Sequence, residues 1–98
     1  MSEPVLSPDE VDGALAEQGL AWERQGDELA TTVELHDFAA ALAFVNAVAA
    51  AAEAVDHHPD IDIRWNKVRL VLTTHSAGGL TVFDIALAAA IDRLRPLR

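Results

Sequence analysis

The sequence contains no cysteine. That absence excludes disulfide bonds, thiol catalysis and metal sites built from thiolates. Basic residues are also few, because 7 lysines and arginines stand against 16 aspartates and glutamates, which gives a formal net charge of −9. No basic stripe is present to meet a phosphate backbone or an anionic lipid surface. We therefore expect neither direct nucleic-acid binding nor membrane binding.

Long apolar segments are absent as well. The apolar stretch from Phe38 to Ala52 has about 15 residues, which is too short to span a bilayer. The first residues, Met1 to Pro4, show neither the basic start nor the apolar segment of a signal peptide. The sequence therefore predicts a soluble, cytoplasmic protein.

The length of 98 residues fits one domain, 1–98, with an ordered core over about residues 7–95 and frayed ends. Hydrophobic residues make up 51% of the chain, so it can bury a core, although a domain of this size has little surplus stability. Much of the apolar content is alanine, which fills little volume. Self-association would add burial, and we expect a homo-oligomer.

The first half of the chain predicts a helix, a hairpin and a second, longer helix. The segment Ser7-Pro8-Asp9-Glu10 is typical of a capping box, and Gly19 ends that helix. A strand from Leu20 to Arg24, which includes Trp22, then pairs with an alternating strand after the turn at Gly26. The long helix runs to about Asp56. Its apolar stripe is Phe38, Leu42, Val45, Ala49 and Ala52, which Phe44, Val48 and Val55 widen.

The second half predicts another hairpin and a last helix. Two alternating strands flank a turn at Asn66-Lys67, and the second of them ends at His75. Thr81 caps the last helix and Asp84 completes its capping box. The residues expected to face inward on that helix are Phe83, Leu87, Ala90, Ile91 and Leu94. The order α-β-β-α-β-β-α predicts an α+β fold, in which a four-stranded antiparallel sheet has helices packed on one face.

Three of the four histidines flank one short stretch of the chain. His57 and His58 precede Pro59 at the predicted helix end, and His75 ends the fourth strand. Glu53 lies four residues before His57, so both side chains can share one helix face.

Three interpretations of this cluster remain open on the residues alone. The imidazoles can stabilise the negative end of the helix dipole. Three imidazoles with Glu53 can hold zinc, although the pair lacks the i, i+4 spacing of a helical zinc motif. Alternatively, imidazoles beside the carboxylates of Glu53 and Asp56 can act as general acid and base on an organic substrate.

The spaced motifs of the chain resemble those of the pterin-4a-carbinolamine dehydratases, the family that includes the dimerisation cofactor of a hepatocyte homeodomain factor. The resemblance spans nearly the whole chain. Its most specific segments are Glu53-Ala54-Val55-Asp56-His57-His58-Pro59, Trp65-Asn66-Lys67-Val68, Thr73-Thr74-His75, Gly79-Leu80 and Asp84-Ile85-Ala86-Leu87-Ala88. The chain departs from vertebrate members after His75, where Ser76 and Ala77 replace a glutamate and a cysteine.

The resemblance implies a hydro-lyase, 4a-hydroxytetrahydrobiopterin dehydratase. Such an enzyme converts 4a-hydroxytetrahydropterin into quinonoid dihydropterin and water, which recycles the tetrahydropterin used by aromatic amino acid hydroxylases. It implies no metal and no cofactor. It also implies a homodimer or homotetramer, and a protein partner in the hydroxylase system or among transcription factors. Two alternatives are a transcriptional coactivator without catalysis and a paralogue that acts on another pterin in molybdopterin metabolism.

The resemblance also implies roles for individual residues. His58 and His75 would exchange protons with the substrate, and His57 would bind and orient it. The other expected substrate contacts are Glu53, Asp56, Pro59, Thr73, Thr74 and Trp22. Asp84 is assigned only to the start of the last helix.

Overall fold

A computed structural model of the chain describes residues 4–96. The elements follow the predicted order α-β-β-α-β-β-α, and a short 3₁₀ helix precedes the last helix. Their bounds are α1 Pro8–Gln18, β1 Glu23–Gln25, β2 Glu28–Glu34, α2 Phe38–Val55, β3 Asp60–Arg64, β4 Lys67–Leu72, the 3₁₀ helix His75–Ala77 and α3 Val82–Asp92. Residues 1–3 and 97–98, part of the predicted frayed ends, lie outside the described residues.

The four strands form one antiparallel sheet in the order β1-β2-β4-β3, which confirms the predicted fold class. Each hairpin occupies one side of the sheet, and β2 pairs with β4 in the centre. Because side chains alternate along a strand, paired residues such as Val33 and Val68 lie on the same face. That face forms a single core with the buried faces of the three helices. The most deeply buried large side chains are Leu29, Leu70, Leu72, Ile91, Val11, Val48, Val68, Thr81 and Asp84.

The predicted helix starts are confirmed in atomic detail. The Glu10 N–H donates to Ser7 Oγ at 3.1 Å, and the Ser7 N–H donates to Glu10 Oε1 at 2.8 Å, which completes the capping box of α1.

The guanidinium of Arg24 in β1 donates hydrogen bonds to both carboxylate oxygens of Asp12, at 3.0 and 3.3 Å. These hydrogen bonds lower the pKa of Asp12 and join α1 to the first strand.

The long helix α2 buries only part of the predicted apolar stripe, namely Phe44, Val48 and Ala52. Its buried residues are Ala41, Phe44, Val48 and Ala52, whereas Phe38 and Leu42 are 45% and 40% exposed. The helix is apolar on nearly all sides, so its periodicity indicates a helix without indicating which stripe faces the sheet.

The helix α2 is also longer than the predicted apolar stretch. It has 18 residues with a mean hydropathy of 1.8, so it is long and apolar enough to cross a membrane by length and composition. One such helix is weak evidence for a membrane segment, because helices in the cores of soluble proteins pass the same test. Here one side of α2 belongs to the protein core.

Several predicted boundaries shift by one to three residues. The first strand covers Glu23–Gln25, so Trp22 precedes it and does not belong to it. The second hairpin turns at Trp65 and Asn66 rather than at Asn66-Lys67, because Arg64 pairs directly with Lys67 and Trp65 adopts a left-handed conformation with φ 55°. Phe83 in α3 and Leu94, two residues after its end, are 46% and 37% exposed rather than inward-facing. The core face of α3 consists of Asp84, Ile85, Leu87, Ala88 and Ile91.

The segment before α1 packs against the loop that follows β4, although Val5 and Leu6 precede the predicted ordered core. The Leu6 N–H donates to the Leu80 carbonyl oxygen at 2.8 Å. A Cβ atom added at Gly79 would lie only 2.9 Å from Val5 Cγ1. Gly79 therefore lets the N-terminal segment approach the loop closely.

Replacing Gly79 by alanine should lower the free energy of unfolding by about 1 kcal/mol, because the new methyl group overlaps Val5. The double variant Gly79→Ala, Val5→Ala should recover most of that loss. Gly13→Ala is the matched control, since a Cβ at Gly13 meets nothing within 4 Å and alanine favours a helix. Urea unfolding of the four proteins measures these differences. A Gly79→Ala loss that Val5→Ala leaves unchanged would contradict the steric explanation.

Candidate active site

The end of α2 determines the position of the histidine pair. The helix ends at Val55, and Asp56 adopts a left-handed conformation with φ 51° and ψ 44°. The Asp56 N–H donates to the Glu53 carbonyl oxygen at 3.3 Å, and the His57 N–H donates to the Ala52 carbonyl oxygen at 3.1 Å. These two hydrogen bonds form a helix closure in which the chain reverses its direction. The helix therefore ends within one residue of the predicted end at Asp56, and both histidines lie beyond it.

His57 forms a hydrogen bond with a fully buried carboxylate. Its Nε2 lies 2.6 Å from Asp84 Oδ1, and the side chains of His57 and Asp84 are 14% and 0% exposed. The other carboxylate oxygen, Asp84 Oδ2, accepts hydrogen bonds from Thr74 Oγ1 at 2.7 Å and from the Thr81 N–H at 2.9 Å. These hydrogen bonds offset the cost of burying the carboxylate.

The same network determines which group is the donor in each hydrogen bond. The Thr74 hydroxyl donates to Asp84, so in the contact of 2.8 Å between the two hydroxyls Thr81 is the donor and Thr74 the acceptor. The Thr81 oxygen accepts the Phe83 N–H at 3.2 Å. A carboxylate accepts hydrogen bonds only, so the proton between His57 and Asp84 belongs to His57 Nε2. When the ring is neutral, Nδ1 is then the basic nitrogen.

His58 forms a second imidazole–carboxylate pair. Its Nε2 makes a short hydrogen bond with Glu53 Oε2, and the two side chains are 55% and 75% exposed. The sequence predicts that Glu53 and His57 share a helix face, but Glu53 reaches His58 because His57 lies beyond the helix. An exposed pair of this kind adds little stability. Its effect is to orient the imidazole.

His75 follows directly after Thr74 and begins the 3₁₀ helix, with an exposed side chain. The strand β4 ends at Leu72, so the predicted strand end at His75 is wrong. An isolated bridge between Thr74 and Gly79 closes the base of the loop. Because Thr74 donates to Asp84 and Asp84 accepts from His57, one carboxylate connects the segments of both histidines.

Other predicted site residues have different surroundings. The Trp22 Nε1 donates to Asp92 Oδ1 at 2.8 Å. Asp92 lies eight residues after Asp84 in α3, which is about 12 Å along the helix. The Thr73 hydroxyl donates to the Asp27 carbonyl oxygen at 2.7 Å, so it is engaged by the turn of the first hairpin. Pro59, half-buried, follows the histidine pair and precedes β3.

The sequence predicts the histidines as site residues and Asp84 only as a helix-start residue, whereas the structure places Asp84 in contact with His57. Its spacing from Thr81 fits a capping box, and that box is present, so the local pattern gave it a sufficient explanation. A second feature that singles out Asp84 is its position in Asp84-Ile85-Ala86-Leu87-Ala88, one of the segments that resemble the family. The contact with His57 joins residues 27 positions apart and has no local signature.

Within residues 4–96, no group of three or more histidine, aspartate or glutamate side chains is arranged to hold a metal ion. The chemistry that the described side chains offer is proton transfer. His57 and His58 are each held by a carboxylate, and His75 lies on the adjoining loop.

The chain is similar to known proteins over almost its whole length. The family model described as pterin 4 alpha carbinolamine dehydratase matches residues 4–94. A protein of Chloroflexus aurantiacus, provisionally named a pterin-4-alpha-carbinolamine dehydratase, is 55% identical over 91 residues, which are 93% of this chain and 97% of that protein. A protein of Nocardia farcinica with the same provisional name is 53% identical over 95 residues, which are 96% of this chain and 98% of that protein.

Two solved structures share the fold. A transcriptional coactivator/pterin dehydratase from Brucella melitensis is 29% identical with a TM-score of 0.87, over 94% of this chain and 99% of that one. A pterin dehydratase-like RuBisCO assembly factor of the alpha-carboxysome has a TM-score of 0.64 over 81% of this chain and 92% of that one, and its 24% identity supports the fold alone. The family match, the close relatives and the shared fold together show that this chain belongs to the pterin 4 alpha carbinolamine dehydratase family.

Proposed function

We propose that the protein dehydrates a 4a-hydroxytetrahydropterin to the quinonoid dihydropterin during the recycling of tetrahydropterin in the cytoplasm. The observation that best supports this proposal is the hydrogen-bonded connection from His57 through Asp84 to Thr74, next to His75. It joins the segments of the three imidazoles around one buried carboxylate. Family membership supports the substrate class.

The reaction requires two proton transfers and no change of oxidation state. The C4a–O bond breaks, and the departing hydroxyl takes a proton and leaves as water. The ring nitrogen bonded to C4a loses its proton, and its electron pair forms the new C=N bond. One imidazolium and one neutral imidazole suffice for these steps, since histidine exchanges protons readily near neutral pH.

We assign the two proton transfers to His58 and His75, which have exposed side chains. Glu53 holds His58 in one orientation. Asp84 fixes the ring and the tautomer of His57, which binds and orients the pterin through Nδ1. Asp56 and Pro59 flank the histidine pair in the sequence and are assigned as further substrate contacts. The hydroxyl of Thr74 positions Asp84. Trp22 and Thr73 have no part in this assignment, because their polar groups are bonded elsewhere.

We further propose that the protein is a homo-oligomer. The support is an apolar stripe of α2, at i, i+4, i+7 and i+11, in which Phe38, Leu42 and Ala49 are exposed and Val45 is half-buried. This spacing repeats along one side of a helix and is typical of helix-to-helix contacts. A second copy of the chain would bury the stripe.

Replacing His58 or His75 by alanine should lower turnover by about 100-fold or more, because each variant loses one proton transfer. The fold should remain intact, since both side chains are exposed. His36→Ala is the matched control, as His36 is an exposed histidine before α2. The absorbance change of 4a-hydroxytetrahydropterin measures dehydration, with and without a chelator. Near-full activity in both variants would refute the assignment, and loss of wild-type activity with chelator would favour a metal.

Asp84→Asn should lower turnover by about 100-fold and shift the His57 proton from Nε2 to Nδ1. The amide supplies one acceptor oxygen where the carboxylate supplies two, so its NH₂ group must face one of the present donors. The ¹⁵N chemical shifts of the His57 ring report the tautomer. Asp62→Asn, at an exposed aspartate of β3, should change neither quantity. An unchanged His57 tautomer in Asp84→Asn would argue against a positioning role.

Leu42→Glu should reduce the oligomer to monomers, because a buried unpaired carboxylate would oppose association. Ala43→Glu is the control, since Ala43 is exposed and lies about 100° around α2 from Leu42. Sedimentation equilibrium at several concentrations measures the molar mass. A monomeric wild type would refute self-association, and the stripe would then be free for another protein, as the alternative interaction role requires.

A further inference from the structure

The side chain of Phe83 lies beside His57 and is 46% exposed. The centroids of the two rings are 6.2 Å apart and their planes are inclined by 43°. Phe83 is the second residue of α3, whose core face is formed by other residues. The core therefore does not account for the aromatic side chain at this position, and among residues 4–96 its ring contact is with the imidazole of His57.

The positions of this ring and of His57 are determined by the same turn of helix. The Phe83 N–H donates to the Thr81 hydroxyl oxygen, and the next residue, Asp84, accepts the His57 hydrogen bond. Phe83 and His57 are thus both attached to the first turn of α3. An apolar ring and an oriented imidazole are present together before a ligand binds, which lowers the entropy cost of binding.

Apart from Pro59, the other contacts in the proposed assignment are polar. Imidazoles and carboxylates can bind the edges of a fused two-ring heterocycle, where its nitrogen and oxygen atoms lie. Its flat face forms no hydrogen bonds and gains most from an aromatic or apolar surface. Among the described residues that contact the site histidines, Phe83 supplies such a surface.

We propose that Phe83 is a specificity-determining residue that packs against the flat ring system of the pterin while His57 binds an edge. This inference rests on the proposed dehydration, because it names a further contact of the same substrate. Phe83 takes no part in proton transfer. Its removal should therefore weaken binding and leave the chemical step nearly unchanged.

Phe83→Ala should raise KM about tenfold with kcat within about twofold, since stacking on an aromatic ring stabilises a bound base by roughly that factor. Phe83→Tyr keeps the ring and should retain the wild-type KM. Val82→Ala is the matched control, because Val82 is 51% exposed, apolar and adjacent to Phe83 but about 100° away around α3. An unchanged KM in Phe83→Ala, or an equal rise in Val82→Ala, would overturn the inference.

A binding titration separates this inference from the proposed function. The probe is free oxidised pterin, whose own fluorescence anisotropy rises when it binds to the protein. Binding by the wild type that is about tenfold weaker in Phe83→Ala supports the inference even if the wild type proves inactive, an outcome that refutes only the dehydration. Equal binding by both proteins, or none by the wild type, overturns the role of Phe83. Thermal unfolding of each variant verifies that it is folded.

Discussion

The buried carboxylate of Asp84 is the interaction on which the geometry of the site depends. It receives hydrogen bonds from the end of α2, from the residue before His75 and from the start of α3. A carboxylate removed from water is costly unless its oxygens are bonded, and here three donors surround it. Each of the three segments is therefore held in place by the others. The same side chain serves as a helix cap and as the partner of an imidazole.

Local features of the fold could be predicted because their causes are local. The capping boxes at Ser7 and Thr81 lie within four residues of sequence, and both are present. The alternation of apolar residues in β2 and β4 predicts a half-buried antiparallel sheet, which the structure confirms. The face of α2 could not be predicted in the same way. Its apolar residues cover most of the helix surface, and only the position of the sheet selects the buried stripe.

The site was predictable as a set of residues and less so as an arrangement. The histidines and Glu53 follow from clustering and from the family resemblance. Their pairing depends on one backbone conformation, the left-handed Asp56, which removes His57 from the helix face of Glu53. An aspartate adopts that conformation far less readily than glycine, so the residue type at position 56 does not predict it. The partner of His57 is distant in sequence, and no periodicity identifies such a contact.

The strand order β1-β2-β4-β3 also bears on how the protein folds. Each hairpin pairs strands that are adjacent in sequence, whereas the central pairing of β2 with β4 encloses α2 and β3. Closing that long segment costs more chain entropy than closing either hairpin. We expect the two hairpins to form early and the pairing of β2 with β4 to form late. Thr74 lies just beyond β4, and Asp84 bonds both Thr74 and His57, so the hydrogen-bonded network around this carboxylate would form only in the last step of folding.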